Sequence, residues 1–135
     1  MSAALTFFLP MKPPTTTLQQ QEVAVRNGKP FFFMGPDLKN ARLKLEAHLA
    51  QHRPPEPFTG PLRVMVKWLF PTNKASQHGK YKSTRPDTGN LNKLLLDVME
   101  DLKFYHNDAQ VASEIIEKFW SQQPGIWISI ERLES

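Results

Sequence analysis

The stretch from residue 85 to residue 111 places one amphipathic helix between two acidic loops, and it constrains this chain more than any other segment. It reads RPDTGNLNKLLLDVMEDLKFYHNDAQV. Its leucine and valine side chains recur at spacings of three and four, which predicts a helix over residues 89–103 with one buried face. Asp87 lies in the loop before that helix and Asp108 in the loop after it. Because magnesium binds carboxylate oxygens, the pattern indicates a divalent metal site.

Charge is distributed unevenly along the chain, which carries a net +4 over 135 residues. Residues 1–86 contain 13 Lys and Arg against 4 Asp and Glu (net +9), whereas residues 87–135 contain 4 against 9 (net −5). Six basic residues and no acid lie between residues 57 and 86. A basic segment beside a metal site favours a phosphate backbone as the ligand, since cations attract phosphates. The alternative is a mixed-charge surface with an uneven split by chance.

The two loops resemble the motif of the RusA family of Holliday junction resolvases, which are small phage and prophage endonucleases. That motif runs roughly D-x-D-N-L-x-K, then a helix, then D-D-A-Q-V. Two positions depart from it: Gly89 stands at the family's second aspartate, and Asn107 stands where a D-D pair is common. The matching residues are Asp87, Asn90, Leu91 and Lys93 in the first part and Asp108, Ala109, Gln110 and Val111 in the second.

The resemblance implies one RusA-like domain over residues 1–135, of class α/β (α+β), with a mixed, mostly antiparallel sheet and two main helices. It implies a magnesium-dependent endodeoxyribonuclease that resolves four-way DNA junctions by paired symmetric nicks in recombination and repair. Two such nicks need two active sites related by a two-fold axis, so we expect a homodimer. Mg²⁺ is the expected cofactor, and no nucleotide cofactor is expected.

The family's loop aspartates form one metal cluster beside the helix lysine. By this resemblance, Asp87 and Asp108 are metal ligands that converge within reach of a single cation, and Lys93 contacts the scissile phosphate. Asn90 braces the loop or orients a water molecule, and Asp97 and Asp101 are second-tier acids. The basic residues expected to follow the DNA arms are Lys67, Lys74, Lys80, Lys82 and Arg85.

Each site residue also has a plainer interpretation. Asp87 can serve only as a helix cap, and Asp108 can merely close a turn before a strand. Lys93 and Asp97 lie one helical turn apart and can form a simple surface pair. The joint spacing of both motifs favours the metal site over these alternatives. The four histidines match no zinc spacing and receive no metal assignment.

Gly89 removes one carboxylate from the expected cluster, which should weaken magnesium binding. Three explanations stay open: a natural variant that uses Asp97 or another acid, a decayed paralogue, or a deliberate inactivating change. The alternative function is therefore a junction-binding protein with impaired catalysis. A third option is a nuclease of the same fold that acts on other branched or flapped DNA.

Periodicity and turn signals predict the remaining elements. Strands are expected over residues 4–9, 22–26, 30–34, 62–70, 111–120 and 126–133, the last two antiparallel around residues 121–125. A first helix is expected from residue 36 or 37 to about residue 52, and residues 71–86 form a polar loop. Asn27-Gly28 predicts a hairpin turn. The phenylalanines at residues 31–33 are expected in the core, with a dimer contact or a DNA wedge as the alternative.

Composition excludes several classes of protein. The absence of cysteine rules out disulfides and thiolate zinc sites. No apolar run reaches the length of about 18 residues that a membrane span needs. The first residues lack the basic start and apolar stretch of a secretory signal. We therefore expect a cytoplasmic protein.

Overall fold

The structure, a computed structural model, describes residues 4–15, 22–26, 29–33 and 35–134, with side chains for residues 4–15 and 35–134. The predicted hairpin turn at residues 27–28 and the packing of the phenylalanines at residues 31–33 lie outside this description. Within it, no helix is long and apolar enough to cross a membrane.

The predicted order βββαβαββ is confirmed. The strands are β1 (Ala4–Leu9), β2 (Glu22–Arg26), β3 (Lys29–Phe33), β4 (Leu62–Pro71), β5 (Val111–Ser121) and β6 (Gly125–Arg132). The helices are α1 (Pro36–Leu49) and α2 (Thr88–Asp101), with short 3₁₀ turns at Ala50–His52 and Asp108–Gln110.

Four strands form one mixed sheet in the order β1-β6-β4-β5, and β2 pairs with β3 in a separate antiparallel pair. β6 lies antiparallel between β1 and β4, whereas β5 runs parallel to β4 at the sheet edge. β5 and β6 are antiparallel as expected, but they do not pair, because β4 lies between them. A parallel β4–β5 pair needs a crossover connection, and α2 provides it. The expected α+β fold with a mixed, mostly antiparallel sheet and two helices is confirmed.

The two faces of the sheet differ in burial. On one face of β4, Leu62, Val64, Val66 and Trp68 are fully buried in a core that also contains leucines of α1 and α2. On the opposite face the side chains of β4 are only half-buried. This alternation is the period-two pattern expected from the sequence. The two helices therefore cover the buried face of the sheet.

Arg42 of α1 links the two helices. Its Nη1 donates to Asp97 Oδ2 of α2 at 2.7 Å, and its guanidinium also pairs with Asp101. Glu46, one turn along α1, completes the group at 3.3 Å from Arg42 Nε. α1 therefore lies on one flank of α2, and β5 lies on the opposite flank.

Candidate functional site

Asp87 is the N-cap of α2. Its Oδ1 accepts a hydrogen bond from the backbone N–H of Gly89 at 2.8 Å. This bond satisfies one of the free N–H groups at the helix start, where negative charge is also stabilised by the helix dipole. The residue is exposed, and the cap uses only one carboxylate oxygen. The cap and the proposed metal-ligand role are therefore compatible.

Asp108 begins a 3₁₀ turn beside the other end of α2. Asn107 caps this turn by accepting the N–H of Ala109 at 2.8 Å, and Gln110 closes a capping box with it. Glu100, in the last turn of α2, accepts the backbone N–H of Asp108 at 2.6 Å. The Asp108 carboxylate is exposed, so these bonds present it at a defined position beside a second carboxylate.

Negative charge gathers around the C-terminal half of α2. Burial raises the pKa of the Tyr105 hydroxyl, and the charges of Asp108 and Glu100 raise it further. That hydroxyl donates to the Leu96 carbonyl at 2.5 Å. The Tyr105 hydroxyl thus ties the segment after α2 to the backbone of the helix.

Helix α2 runs antiparallel to β5 along its whole length. Three contacts establish this direction. Residues later in α2 contact residues earlier in β5 or in the turn before it. In sequence along α2 the contacts are Pro86 O with Lys118 Nζ at 3.0 Å, Asn92 Nδ2 with Glu114 Oε2 at 2.7 Å, and Glu100 Oε1 with Asp108 N at 2.6 Å.

Asp87 and Asp108 consequently lie at opposite ends of α2 within one chain. The helix has 14 residues and is about 20 Å long. The path along β5 from Val111 to Lys118 gives a similar separation of about 23 Å. Ligand oxygens lie only about 2 Å from a magnesium ion. Within a single chain the two carboxylates are therefore too far apart to reach one cation, because α2 separates them. Their predicted convergence on a single cation stays a prediction.

The described side chains of one chain do not form a complete metal site. Across residues 4–15 and 35–134, no three His, Asp or Glu side chains are grouped so that they could hold a metal ion. Each end of α2 instead offers a partial set: Asp87 at the start, and Asp108 beside Glu100 at the end.

Lys93 is exposed on the solvent-facing side of α2, one helical turn before Asp97. One stripe along the helix contains residues at spacings of four, three and four. Its members are Gly89, Lys93, Leu96 and Glu100. Asn90 lies outside this stripe and is buried, with 6 % exposure. Its role in bracing the loop or orienting a metal-bound water stays a prediction.

Asp97 and Asp101, the second-tier acids, point toward α1. Arg42 binds both of them, as described above. A carboxylate held by a guanidinium is a poor metal ligand, because its oxygen is already engaged and the nearby positive charge repels a cation. These acids join the helices, and this geometry does not support their expected role as second-tier metal acids.

Three of the basic residues expected to contact DNA are exposed in the loop before α2. Lys74 and Lys80 lie in its middle, and Arg85 lies two residues before Asp87. Arg85 therefore lies beside the start of α2, where it suits a contact with a phosphate near that end.

The other two lysines differ from expectation. Lys67 lies on the face of β4 away from the helices, with its Nζ 4.9 Å from the centroid of the Trp127 ring. Lys82 is buried at 9 % exposure, and its Nζ bonds to Thr84 and lies 4.1 Å from the centroid of the Trp120 ring. Burial lowers the pKa of Lys82, and the charge of Lys118 contributes. Alternation along the chain could not reveal that the fold buries Lys82.

Two residues with evident roles carry no motif in the sequence. Lys118 of β5 donates to the carbonyls of Thr84 at 2.5 Å and Pro86 at 3.0 Å, immediately before Asp87. Glu100 holds the backbone of Asp108. Helical spacing does place Glu100 near the face of Lys93, which is the one available signal. A lone lysine in a strand gives none.

The chain was compared with known proteins. Residues 10–131 match the family model described as endodeoxyribonuclease RusA. A protein of Lactococcus phage r1t named crossover junction endodeoxyribonuclease rusA is 33 % identical over 98 residues, which cover 71 % of this chain and 73 % of the phage protein. The uncharacterized protein YqaN of Bacillus subtilis (strain 168) is 30 % identical over 125 residues, covering 83 % and 86 % of the two chains. The resemblance seen in the two aspartate loops is therefore confirmed, and the chain belongs to the RusA endodeoxyribonuclease family.

Proposed function

We propose that this protein is a magnesium-dependent, structure-selective endodeoxyribonuclease that resolves Holliday junctions as a homodimer. Membership of the RusA family and the name of the phage relative support this activity. The observation that carries the proposal is an exposed aspartate at each end of α2, each held by backbone hydrogen bonds within a family motif. The exposed basic residues of the preceding loop suit a DNA ligand.

The separation of Asp87 and Asp108 supports a metal site shared between two protomers. One chain supplies only half of the carboxylate set at each end of α2. If two α2 helices pack antiparallel about a two-fold axis, Asp87 of one protomer comes level with Asp108 of the other. The same operation creates two identical sites, which paired nicks require. Each site would then combine Asp87 of one chain with Asp108 of the other.

The outer edge of β5 is well suited to this association. Its C-terminal half is taken by the preceding loop, since Trp120 N donates to Lys80 O and Lys82 N donates to Lys118 O, both at 2.9 Å. In the described part of the chain, no strand pairs with the outer edge of the N-terminal half. Antiparallel pairing of two such halves centred near Glu114 would set position 118 opposite position 110 of the partner. The Asp87 loop, tied to Lys118, would then lie beside the partner's Asp108.

The lateral spacing is also consistent with this arrangement. Asn92 of α2 accepts from Trp68 of β4 at 2.9 Å and donates to Glu114 of β5, so α2 lies over the boundary between these strands. With strands about 4.8 Å apart, the two α2 axes would lie about 10 Å apart, which is close to the ordinary packing distance of helices. Continuous pairing and helix packing therefore agree on one geometry.

The residues of such a shared site divide the work. Asp87 and Asp108 would hold the magnesium ion, which would supply an activated water and offset charge on the phosphate. Glu100 holds the Asp108 backbone, and Gly89 donates its N–H to Asp87. Lys93, exposed on the stripe facing the partner, contacts the scissile phosphate and stabilises charge that develops on it. Lys74, Lys80 and Arg85 bind the DNA arms through phosphates.

Mixing two inactive variants tests both the activity and the shared site. Asp87→Asn and Asp108→Asn are each expected to abolish magnesium-dependent cutting of a labelled four-way junction. When the two are co-expressed, half of the dimers are heterodimers, and each contains one intact site. Junction nicking should therefore recover to about a quarter of the wild-type level, with single nicks in place of paired ones.

Two results would contradict this proposal. If the mixture stays inactive while wild-type protein cuts, the two aspartates do not serve one shared site. If wild-type protein binds the junction and leaves its strands intact with magnesium, the alternative function applies. That alternative, a junction-binding protein with impaired catalysis, is favoured by Gly89, where the family has an aspartate.

Disulfide cross-linking tests the β5 edge. The sequence contains no cysteine, so each introduced cysteine can pair only with its copy in the partner. Single cysteines are placed at Ser113, Glu114 and Ile115, around the proposed centre of the pairing near Glu114. Antiparallel partners have Cα atoms about 4.5–5.5 Å apart, within disulfide range, so the position nearest the axis should give a covalent dimer under mild oxidation. Thr6→Cys, exposed on the opposite sheet edge, is the control. Cross-linking only through Thr6→Cys would assign the interface to the other edge.

A further inference from the structure

We propose that Lys118 is a positioning residue that holds the Asp87 loop and thereby sets the magnesium affinity of the site. The inference about magnesium rests on the proposed function. The inference about the loop rests only on contacts within one chain. Lys118 acts through the loop backbone and is not assigned a contact with metal or DNA.

The ammonium group of Lys118 is bonded to the segment that leads directly into Asp87. It donates to the carbonyl oxygen of Thr84 at 2.5 Å and to that of Pro86 at 3.0 Å. An ammonium has three protons, and these bonds use two of them. Hydrogen bonds from a charged donor are stronger than neutral ones, and half-burial of Lys118 reduces competition from water.

The rest of the loop is held to β5 differently. Gly79 N donates to Trp120 O, Trp120 N to Lys80 O, and Lys82 N to Lys118 O, each at 2.9 Å. These backbone bonds continue the sheet edge as far as Lys82. From Thr84 to Pro86, the described hydrogen bonds between the loop and β5 come from the Lys118 side chain. Lys82 Nζ also bonds to Thr84 within the loop, whereas the bonds that tie the last turn before Asp87 to β5 come from the Lys118 ammonium group.

Metal affinity should respond to this dependence. Magnesium requires nearly ideal octahedral geometry. A ligand on a mobile loop must be ordered when the ion binds, and this ordering lowers the affinity for magnesium. Asp87 directly follows Pro86, and its carboxylate also caps α2. A loop released from Lys118 would let Asp87 move relative to Asp108 of the other protomer. Of the cations proposed to bind DNA phosphates, Lys74 and Lys80 lie outside residues 84–86, and Arg85 within that segment supplies one phosphate contact among several.

The test compares Lys118→Met with Lys118→Arg, and with Lys39→Met as a charge-matched control on the exposed face of α1. Hydrogen exchange at residues 84–90 should be about 10-fold faster or more in Lys118→Met, since two charge-assisted bonds are lost. The magnesium concentration for half-maximal cutting should rise about 10-fold or more. Junction affinity in Ca²⁺ should stay within about twofold of wild type, and Lys118→Arg should recover part of both losses.

Several results would overturn the inference. Unchanged exchange at residues 84–90 in Lys118→Met would show that the loop does not depend on Lys118. Faster exchange across the whole chain would indicate general destabilisation, and Lys118→Arg with its retained donor would then have to restore the loop selectively. A loss of junction affinity with unchanged magnesium dependence would make Lys118 a DNA contact. If wild-type protein cuts no junction, the proposed function fails, while the exchange comparison still decides the role of Lys118 in the loop.

Discussion

Asp108→Asn is expected to reduce magnesium-dependent cutting of a four-way junction by about 100-fold or more, while junction binding is retained. The substitution preserves the shape of the side chain and the N–H bond to Glu100, which uses the backbone. It removes one negative charge and therefore one strong ligand. Less repulsion toward phosphates should leave binding without metal unchanged or slightly tighter.

The measurement pairs a cleavage assay with a gel-shift assay on the same labelled junction. Asp37→Asn removes the same charge from an exposed position at the start of α1 and should cut at the wild-type rate. If Asp108→Asn cuts as fast as wild type, the acid at position 108 only closes its turn. A proportional loss of binding and cutting would instead assign Asp108 to folding or DNA contact.

Gly89→Asp is expected to raise magnesium-dependent cutting by about 10-fold or more and to lower the magnesium concentration required. The family has an aspartate at this position, and Gly89 lies in the first turn of α2, where acids are favoured. A Cβ at Gly89 would lie 3.3 Å from Asp87 Oδ1. That contact is tight, but the neighbour is the end of a side chain and can move by a few tenths of an ångström.

Gly89→Asn is the matched control, because it adds nearly the same bulk without a charge. A gain in Gly89→Asp alone attributes the effect to the carboxylate, and equal gains in both variants would attribute it to helix stability. If wild type and Gly89→Asp cut a synthetic junction equally fast, Gly89 is not a deficit. In that case the carboxylates already present suffice for the metal.

Local pattern was enough to predict most of the fold. The alternation in β4 identified its buried face correctly, because successive strand residues point to opposite sides. The apolar spacing of α2 and the cap at Asp87 located that helix to within two residues. Pairing between β5 and β4 escaped prediction, since parallel partners are joined through a distant crossover and leave no local turn signal.

The site was only partly predictable. The motif gave Asp87 and Asp108 as candidate metal ligands, but the helix between them keeps the two carboxylates apart within one chain. A helix of the predicted length already separates its ends by about 20 Å. Two aspartates in one motif need not meet in one protomer, because a two-fold axis can bring opposite ends together. The expected exposure of Lys82 differs from the structure for another reason. A basic residue in a polar loop is expected to be exposed, and only the tertiary fold buries it.

The amino-acid order alone determined the family, the succession of strands and helices, and the acids and lysine that its motifs contain, because these depend on short-range spacing. Tertiary structure decided that α2 lies antiparallel to β5, that Arg42 binds Asp97, and that Lys118 bonds to the loop before Asp87. Those relations join residues distant in the chain, and they arise from how the helices pack on the sheet. Spacing along a sequence carries no record of them.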